Sequence, residues 1–234
     1  MADLSFIGIT GLALADSVNP CELAVLTMVL ITLLIQHPEN RKKVLYGGIA
    51  FVLAVYIGYL IYGLIIVQFF KTFSEILRQN STYIYTGLGV LSMILGALNI
   101  KDYFYYSPGG LATEMPLSFR PRVKKLIENI TSPKGAFIIG ILVTILLLPC
   151  TMGPLIVASG LLSQLGIFQA LLWLLYYNLI FVSPMILVVA IIYYGFRKIE
   201  EVSDWKERNI RNLHLIAGIL LFSIGFALLT GWLY

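Results

Sequence analysis

Charge is scarce in these 234 residues. Only 12% are charged, 59% are hydrophobic, and mean hydropathy is +0.90. Soluble domains carry about 25% charged and about 45–50% apolar residues, so the water-soluble classes are excluded and the chain reads as an integral membrane protein. The length leaves no room for a large extra soluble domain. Period-two alternation of apolar and polar residues is also missing, which disfavours a β-barrel. Histidine is limited to His37 and His214, and cysteine to Cys21 and Cys150. Two sulfurs without a well-placed histidine make a poor metal cage, and there is no C-x-x-C pair. Nothing points to nucleic acid; the net charge of +4 reports membrane topology instead.

What is present is a series of long apolar runs. A helical span needs roughly 20 such residues. Residues 4–36 contain no basic residue and only two acids, Asp16 and Glu22. Residues 44–70 and 81–100 carry no charge, and residues 135–196 run 62 positions without one. The last of these fits two spans joined by a turn at Ser163, Gln164, Leu165 and Gly166. Residues 213–234 supply one more. The expectation is an all-α integral membrane protein with six transmembrane helices.

Orientation follows from the basic residues. Of the 16 lysines and arginines, all but Lys71 and Arg78 fall in three loops, residues 36–43, 101–134 and 197–212. Those loops are expected to face the cytoplasm, which places both termini outside a plasma-membrane protein. Tyr103, Tyr105, Tyr106, Tyr193, Tyr194, Trp232 and Tyr234 fall at span ends as interface anchors. The stretch GLALADS, residues 11–17, offers an A-x-A pattern like a leader cleavage site, but no cationic segment precedes it, and the first span is read as retained.

The chain divides into two halves of one transmembrane domain, 1–234. Residues 1–100 and 135–234 hold three spans each, and residues 101–134 connect them on the cytoplasmic side. The pair Pro20-Cys21 recurs as Pro149-Cys150, 129 residues later and again in the first span of its half. An odd number of spans per half requires opposite insertion, which is the inverted-repeat plan with broken first helices meeting near the midplane. In the connecting loop, Val123, Leu126, Ile127 and Ile130 recur at helical spacing, as in an amphipathic helix at the interface. Residues 198–211 read as a mixed-charge solvated loop.

The two Pro-Cys sites carry the chemistry. Proline has no amide hydrogen to donate and clashes with the preceding turn, so a helix should stop before Pro20 and restart there. Asn19 suits the N-cap, Pro20 the first helical position, and Glu22 the third position of a capping box. Cys21 then lies in the first turn, where orphan amides and the helix dipole favour a thiolate. Pro149 and Cys150 repeat the pattern without a polar cap, and Gly153 and Pro154 loosen the backbone one turn on. Either cysteine alone reads as an ordinary buried residue. Matching breaks in opposite halves point instead to a reactive pair that cycles between dithiol and disulfide.

Acids at span depth usually mark a watery cavity and a function. Glu22 either caps or handles a proton, and Asp16 caps or hydrates the entrance. His37 and His214 fit interface roles. Thr27, Thr32, Thr144, Thr151 and Asn178 are expected to satisfy backbone groups or neighbouring helices. Gly47, Gly48, Gly58, Gly63, Gly87 and Gly89 serve close helix packing, and Pro184 kinks the fifth span.

With NPC at Asn19–Pro20–Cys21 and LPC at Leu148–Pro149–Cys150, the chain resembles the cytochrome c biogenesis CcdA family, which is similar to the transmembrane domain of DsbD. That resemblance implies a thiol-disulfide oxidoreductase-type electron transporter. Reducing equivalents would pass from cytoplasmic thioredoxin through Cys21 and Cys150 to an extracytoplasmic thioredoxin-like protein, without a bound cofactor. The chain departs from the family where Glu22, Leu23, Ala24 and Val25 replace prolines after the first motif, and where an extra residue separates Cys150 from Pro154. The alternatives are a solute or soft-metal-ion transporter on the same broken helices, a quinone-linked thiol oxidoreductase, and a purely structural membrane protein.

Overall fold

The computed structural model describes residues 2–18, 20–37, 39–76, 81–106, 120–128, 132–194 and 199–232. Among them the backbone forms helices and no strand: α1 (Ala2–Ser17), α2 (Pro20–Gln36), α3 (Arg41–Ile76), α4 (Ser81–Phe104), α5 (Arg120–Glu128), α6 (Pro133–Leu162), α7 (Ile167–Tyr194) and α8 (Ile199–Leu229). Three stretches are long and apolar enough to cross a membrane: Arg41–Thr72, Ile167–Tyr194 and Glu207–Leu229. The bent pair Phe6–Ser17 and Cys21–Gln36 makes a fourth if counted as one span. The protein is an all-helical membrane protein; the described residues supply three such spans, or four with the bent pair, of the six that the sequence suggests.

The first break falls where the proline placed it. Helix α1 ends at Ser17, whose hydroxyl donates to the Leu14 carbonyl at 2.9 Å. Helix α2 opens on Pro20, a position where the missing amide hydrogen costs nothing. The two axes bend by 48°. Asn19, expected as the cap, lies outside the described residues.

The second site departs from expectation. Pro149 and Cys150 fall inside α6, which runs as one helix from Pro133 to Leu162. The side chains of residues 147–152, Pro149 and Cys150 included, lie outside the described residues. Gly153 serves packing rather than a loosened backbone: a Cβ there would stand 2.5 Å from the Leu95 Cδ1 of α4. Pro154 is buried.

Local signals set the other ends. Ser132 caps α6 by accepting from the Gly135 amide at 3.2 Å, with Pro133 in the first helical position. The expected tight turn separates Leu162 from Ile167. Helix α8 begins at Ile199, so the segment expected as a solvated loop is instead a helical extension, with Asp204, Glu207, Arg208 and Arg211 exposed on it. It stops at Gly231, whose φ of 73° suits a residue without a Cβ, and the Trp232 amide closes the end on the Ala227 carbonyl at 2.9 Å. Helix α5 forms where apolar spacing placed it. Its Val123 and Ile127 are buried, and it packs against α2 and α6.

Packing interleaves the two halves. Helix α4 lies along α8, α3 lies along α6 and α7, and α1 touches α6, α7 and α8. The α4–α8 contact brings backbone against backbone. A Cβ at Gly96 would stand 2.6 Å from the Phe222 nitrogen, and one at Gly225 would stand 2.7 Å from the Gly89 oxygen. That approach lets the Ser92 hydroxyl donate to the Leu221 carbonyl at 2.7 Å, and brings His214 Nδ1 to 3.0 Å from Asn99 Oδ1. Hydrocarbon tails are as apolar as leucine, so small residues and close van der Waals contact drive helix association in a membrane. Gly140 does the same for α6 on α3, where a Cβ would meet that of Ala54 at 2.6 Å. Of the glycines singled out by sequence, Gly47, Gly48, Gly58 and Gly63 pack against neighbouring side chains and Gly89 against the Gly225 oxygen, whereas Gly87 faces nothing within 4 Å.

Candidate functional site

The break between α1 and α2 brings two acids together in the interior. Asp16 sits in the last turn of α1 and Glu22 in the first turn of α2, with 1% and 3% of their surfaces exposed. Helix α1 is held against α7 by a hydrogen bond between Thr10 and the Tyr176 hydroxyl at 3.1 Å, and by Phe6 packed against Tyr176 and Trp173. This docking sets the depth of Asp16.

Each carboxylate is met by one tyrosine from a different helix. The Tyr177 hydroxyl of α7 donates to Asp16 Oδ2 at 2.8 Å. The Tyr59 hydroxyl of α3 donates to Glu22 Oε1. Both tyrosines are fully buried, and the Tyr59 ring packs on Phe181 with centroids 4.6 Å apart. Tyr177 and Phe181 are four residues apart on α7, so one helical face carries both supports. Asn178 shares that face. Its amide donates to the Leu174 carbonyl at 2.8 Å.

Three buried oxygens are left over. Asp16 Oδ1, Glu22 Oε2 and Asn178 Oδ1 have no hydrogen-bond partner among the described residues. Glu22 interacts electrostatically with Asp16 and Cys21, and Tyr177 with both carboxyls. Insertion scales put an acid at span depth at about 2.5–3.5 kcal/mol. A hydrogen bond to a charged group contributes about 1.5–3 kcal/mol. One tyrosine therefore offsets roughly one buried charge. Two like charges acting on each other add a repulsion that neither hydroxyl answers.

The acids were legible in the sequence, but their partners were not. Glu22 was expected either to cap its own helix or to handle a proton; one of its oxygens accepts from Tyr59. Asn178, Thr27 and Thr144 bond to the carbonyls of Leu174, Ala24 and Ile141 in the preceding turn, as polar groups in apolar helices tend to. Tyr59 and Tyr177 were not singled out. The available signal was position: both lie deep within apolar runs, away from span ends, where a buried phenol needs a partner. Cys21 is buried beside Glu22, while Cys150 contributes no described side chain. Among the described residues no three of His, Cys, Asp and Glu are grouped to hold a metal ion.

A family model described as SfLAP, "Sap, sulfolipid-1-addressing protein", matches residues 9–232. No curated protein and no solved structure matches the chain. The family match overturns the resemblance to the CcdA family, and with it the thiol-disulfide exchange and the cytochrome c maturation inferred from that resemblance. Thioredoxin and an extracytoplasmic thioredoxin-like partner lose the resemblance that suggested them. The physical reason for the error is that a Pro-Cys step in a long apolar helix reports a local backbone constraint, and membrane proteins of unrelated function share that constraint. The match takes in both Pro-Cys sites and nearly the whole chain, which therefore belongs to the SfLAP family of sulfolipid-1-addressing proteins.

Proposed function

We propose that this membrane protein takes up an anionic long-chain amphiphile, of the sulfolipid class its family is named for, and passes it on within the bilayer. The observation that carries this reading is an apolar groove of about 520 Å³ between α3 and α7. Leu45, Ile49, Val52 and Tyr56 line one wall, and Val182 and Val189 the other. Both helices are long and apolar enough to span, so an occupant of the groove lies at lipid depth. At about 1.5 Å per residue, the wall from Leu45 to Tyr56 is roughly 17 Å long, room for hydrocarbon. Its volume falls within the range of about 300–1,000 Å³ usual for ligand sites.

One end of the groove is polar in the right sense. Leu45 lies about one turn from Arg41, Lys42 and Lys43, all exposed at the start of α3. Tyr193 and Tyr194 border the groove at the end of α7. Cations beyond an apolar groove complement a sulfate or a similar anionic headgroup.

The proposal includes six spans arranged as inverted halves, residues 1–100 and 135–234, with both termini extracytoplasmic. Helix pairing supports this. Exchanging the broken helix α1–α2 with α6, α3 with α7, and α4 with α8 carries each packed pair onto another. The α3–α6 contact becomes α7–α1, α1–α8 becomes α6–α4, and α2–α3 becomes α6–α7. The α4–α8, α3–α7 and α1–α6 contacts map onto themselves. A pseudo-two-fold axis in the membrane plane produces such a pattern.

Photo-crosslinking tests the function. The protein in lipid nanodiscs is exposed to a diazirine-bearing sulfated alkyl glycoside and to its unsulfated analogue. Label is expected on α3 and α7, stronger for the sulfated probe. Replacing Arg41, Lys42 and Lys43 together by Gln should remove that preference, and Val182→Trp should reduce labelling by both probes. Equal labelling by the two probes in the unaltered protein, or label spread over all lipid-facing helices, defeats the proposal.

A further inference from the structure

We infer that Asp16 and Glu22 form a proton-binding site built into the break of the first span, where the bound ligand is a hydrogen ion and not a metal. The site stands apart from the apolar groove, and the inference does not rest on the amphiphile reading.

The geometry divides the four carboxyl oxygens into two classes. Asp16 Oδ2 and Glu22 Oε1 accept from Tyr177 and Tyr59, so each acid is held by an oxygen that need not carry a proton. Asp16 Oδ1 and Glu22 Oε2 are buried without a partner among the described residues. An acceptor in that position is costly, but becomes a donor as soon as it carries hydrogen. Asn178 Oδ1 is a third buried oxygen without a partner, on the face of α7 that carries Tyr177 and Phe181. A proton on one carboxyl removes the repulsion within the pair and supplies the missing donor.

Among the described residues no basic side chain acts on the pair. The titratable groups acting on the pair are Cys21 on α2, Tyr59 on α3 and Tyr177 on α7. On the packed helices, Lys71 of α3 is twelve residues, about 18 Å of helix, from Tyr59. Arg122, Lys124 and Lys125 of α5 are exposed, as is Lys134 in the first turn of α6. His214 of α8 is bonded to Asn99 of α4. The side chain of Cys150 lies outside the described residues. Among the described residues no three of His, Cys, Asp and Glu gather here; sodium, which also takes amide and carbonyl oxygens, is distinguished from a proton by the competition experiment below.

The site lies where its charge can change the fold. The two acids terminate different helices at a 48° bend, and each is tied to a different neighbour, Asp16 to α7 and Glu22 to α3. With one proton bound, the pair can stay dry and the break closed. When that proton leaves to water, both acids are charged and must be hydrated, which separates the helix ends and opens the break. No electron moves, and the proton is exchanged with water alone.

Infrared difference spectroscopy on the full chain in liposomes, across a pH titration, tests this. A protonated-carboxyl C=O stretch is expected near neutral pH and should vanish as pH rises. Glu22→Gln or Asp16→Asn should remove it or shift its titration by a pH unit or more. Tyr59→Phe, which keeps both carboxyls, should move its frequency. A neutral-pH spectrum without any such band sensitive to these substitutions overturns the proposal. So does a band displaced by sodium at constant pH and ionic strength, which would make the ligand a metal cation. Circular dichroism separates an unfolded variant from a folded one, and Tyr59→Phe keeps the test decisive if an acid variant does not fold.

Discussion

Replacing Gly96 by alanine puts a methyl group where α4 and α8 touch backbone to backbone. The new carbon would lie 2.6 Å from the Phe222 nitrogen and 2.8 Å from the Gly218 oxygen. Ordinary contact begins near 3.4 Å, and neither neighbour is a side chain that can rotate aside, so the helices must part by about 0.8 Å. Overpacking of this kind costs about 1–3 kcal/mol. Parting also stretches the Ser92–Leu221 hydrogen bond from its 2.7 Å. Losing such a bond costs about 0.5–1.5 kcal/mol. The expected destabilisation is therefore about 1.5–4.5 kcal/mol, the sum of the two contributions. Gly87→Ala is the control, because its Cβ meets nothing within 4 Å. Unfolding by sodium dodecyl sulfate in mixed micelles, followed by circular dichroism, provides the measurement. If Gly96→Ala and Gly87→Ala unfold within about 0.5 kcal/mol of each other, the usual scatter of neutral surface changes, the close α4–α8 approach is refuted.

Other outcomes follow from the site and from the family. Tyr177→Phe should cost about 0.5–1.5 kcal/mol if Asp16 is neutral and about 1.5–3 kcal/mol if it is charged, and a double-mutant cycle with Asp16→Asn in the same unfolding assay reads which. Cys21→Ser and Cys150→Ser should each leave the labelling preference for a sulfated probe intact; its loss in both would count against a lipid-handling role. Gly140→Leu should be worse than Gly140→Ala, because the first carbon already meets Ala54 at 2.6 Å and the longer side chain has no room between α6 and α3, and yield of folded protein after detergent extraction checks it.

Much of the architecture was written locally. An apolar run of span length demands a helix, because every backbone polar group in hydrocarbon must be satisfied within its own segment. Pro20 cannot continue a helix but starts one well, so the first break fell where expected. The turn between α6 and α7 and the amphipathic α5 were equally local. The start of α8 was not, because its mixed-charge extension has neither the apolarity of a span nor the glycines and prolines of a loop. Pro149 misled for the opposite reason. The residue type that opens a helix at Pro20 lies within one at Pro149.

Asp16 and Glu22 could be found from sequence because a carboxylate at span depth is conspicuous anywhere. Their partners could not, because Tyr177 lies 161 residues from Asp16 and Tyr59 lies 37 from Glu22. No periodicity links residues so far apart; the pairing depends on which helices lie side by side. Helix choice was itself tertiary: Gly96 and Gly225 look like any glycines in an apolar run until α4 and α8 are seen in contact. The sequence by itself determined that the chain is a helical membrane protein with a break at Pro20 and two acids beside it. The tertiary structure alone decided that those acids are buried within electrostatic reach of each other and tied to different neighbours, with two oxygens unanswered among the described residues, because a side chain's partner is set by the packing of whole helices and not by its place along one.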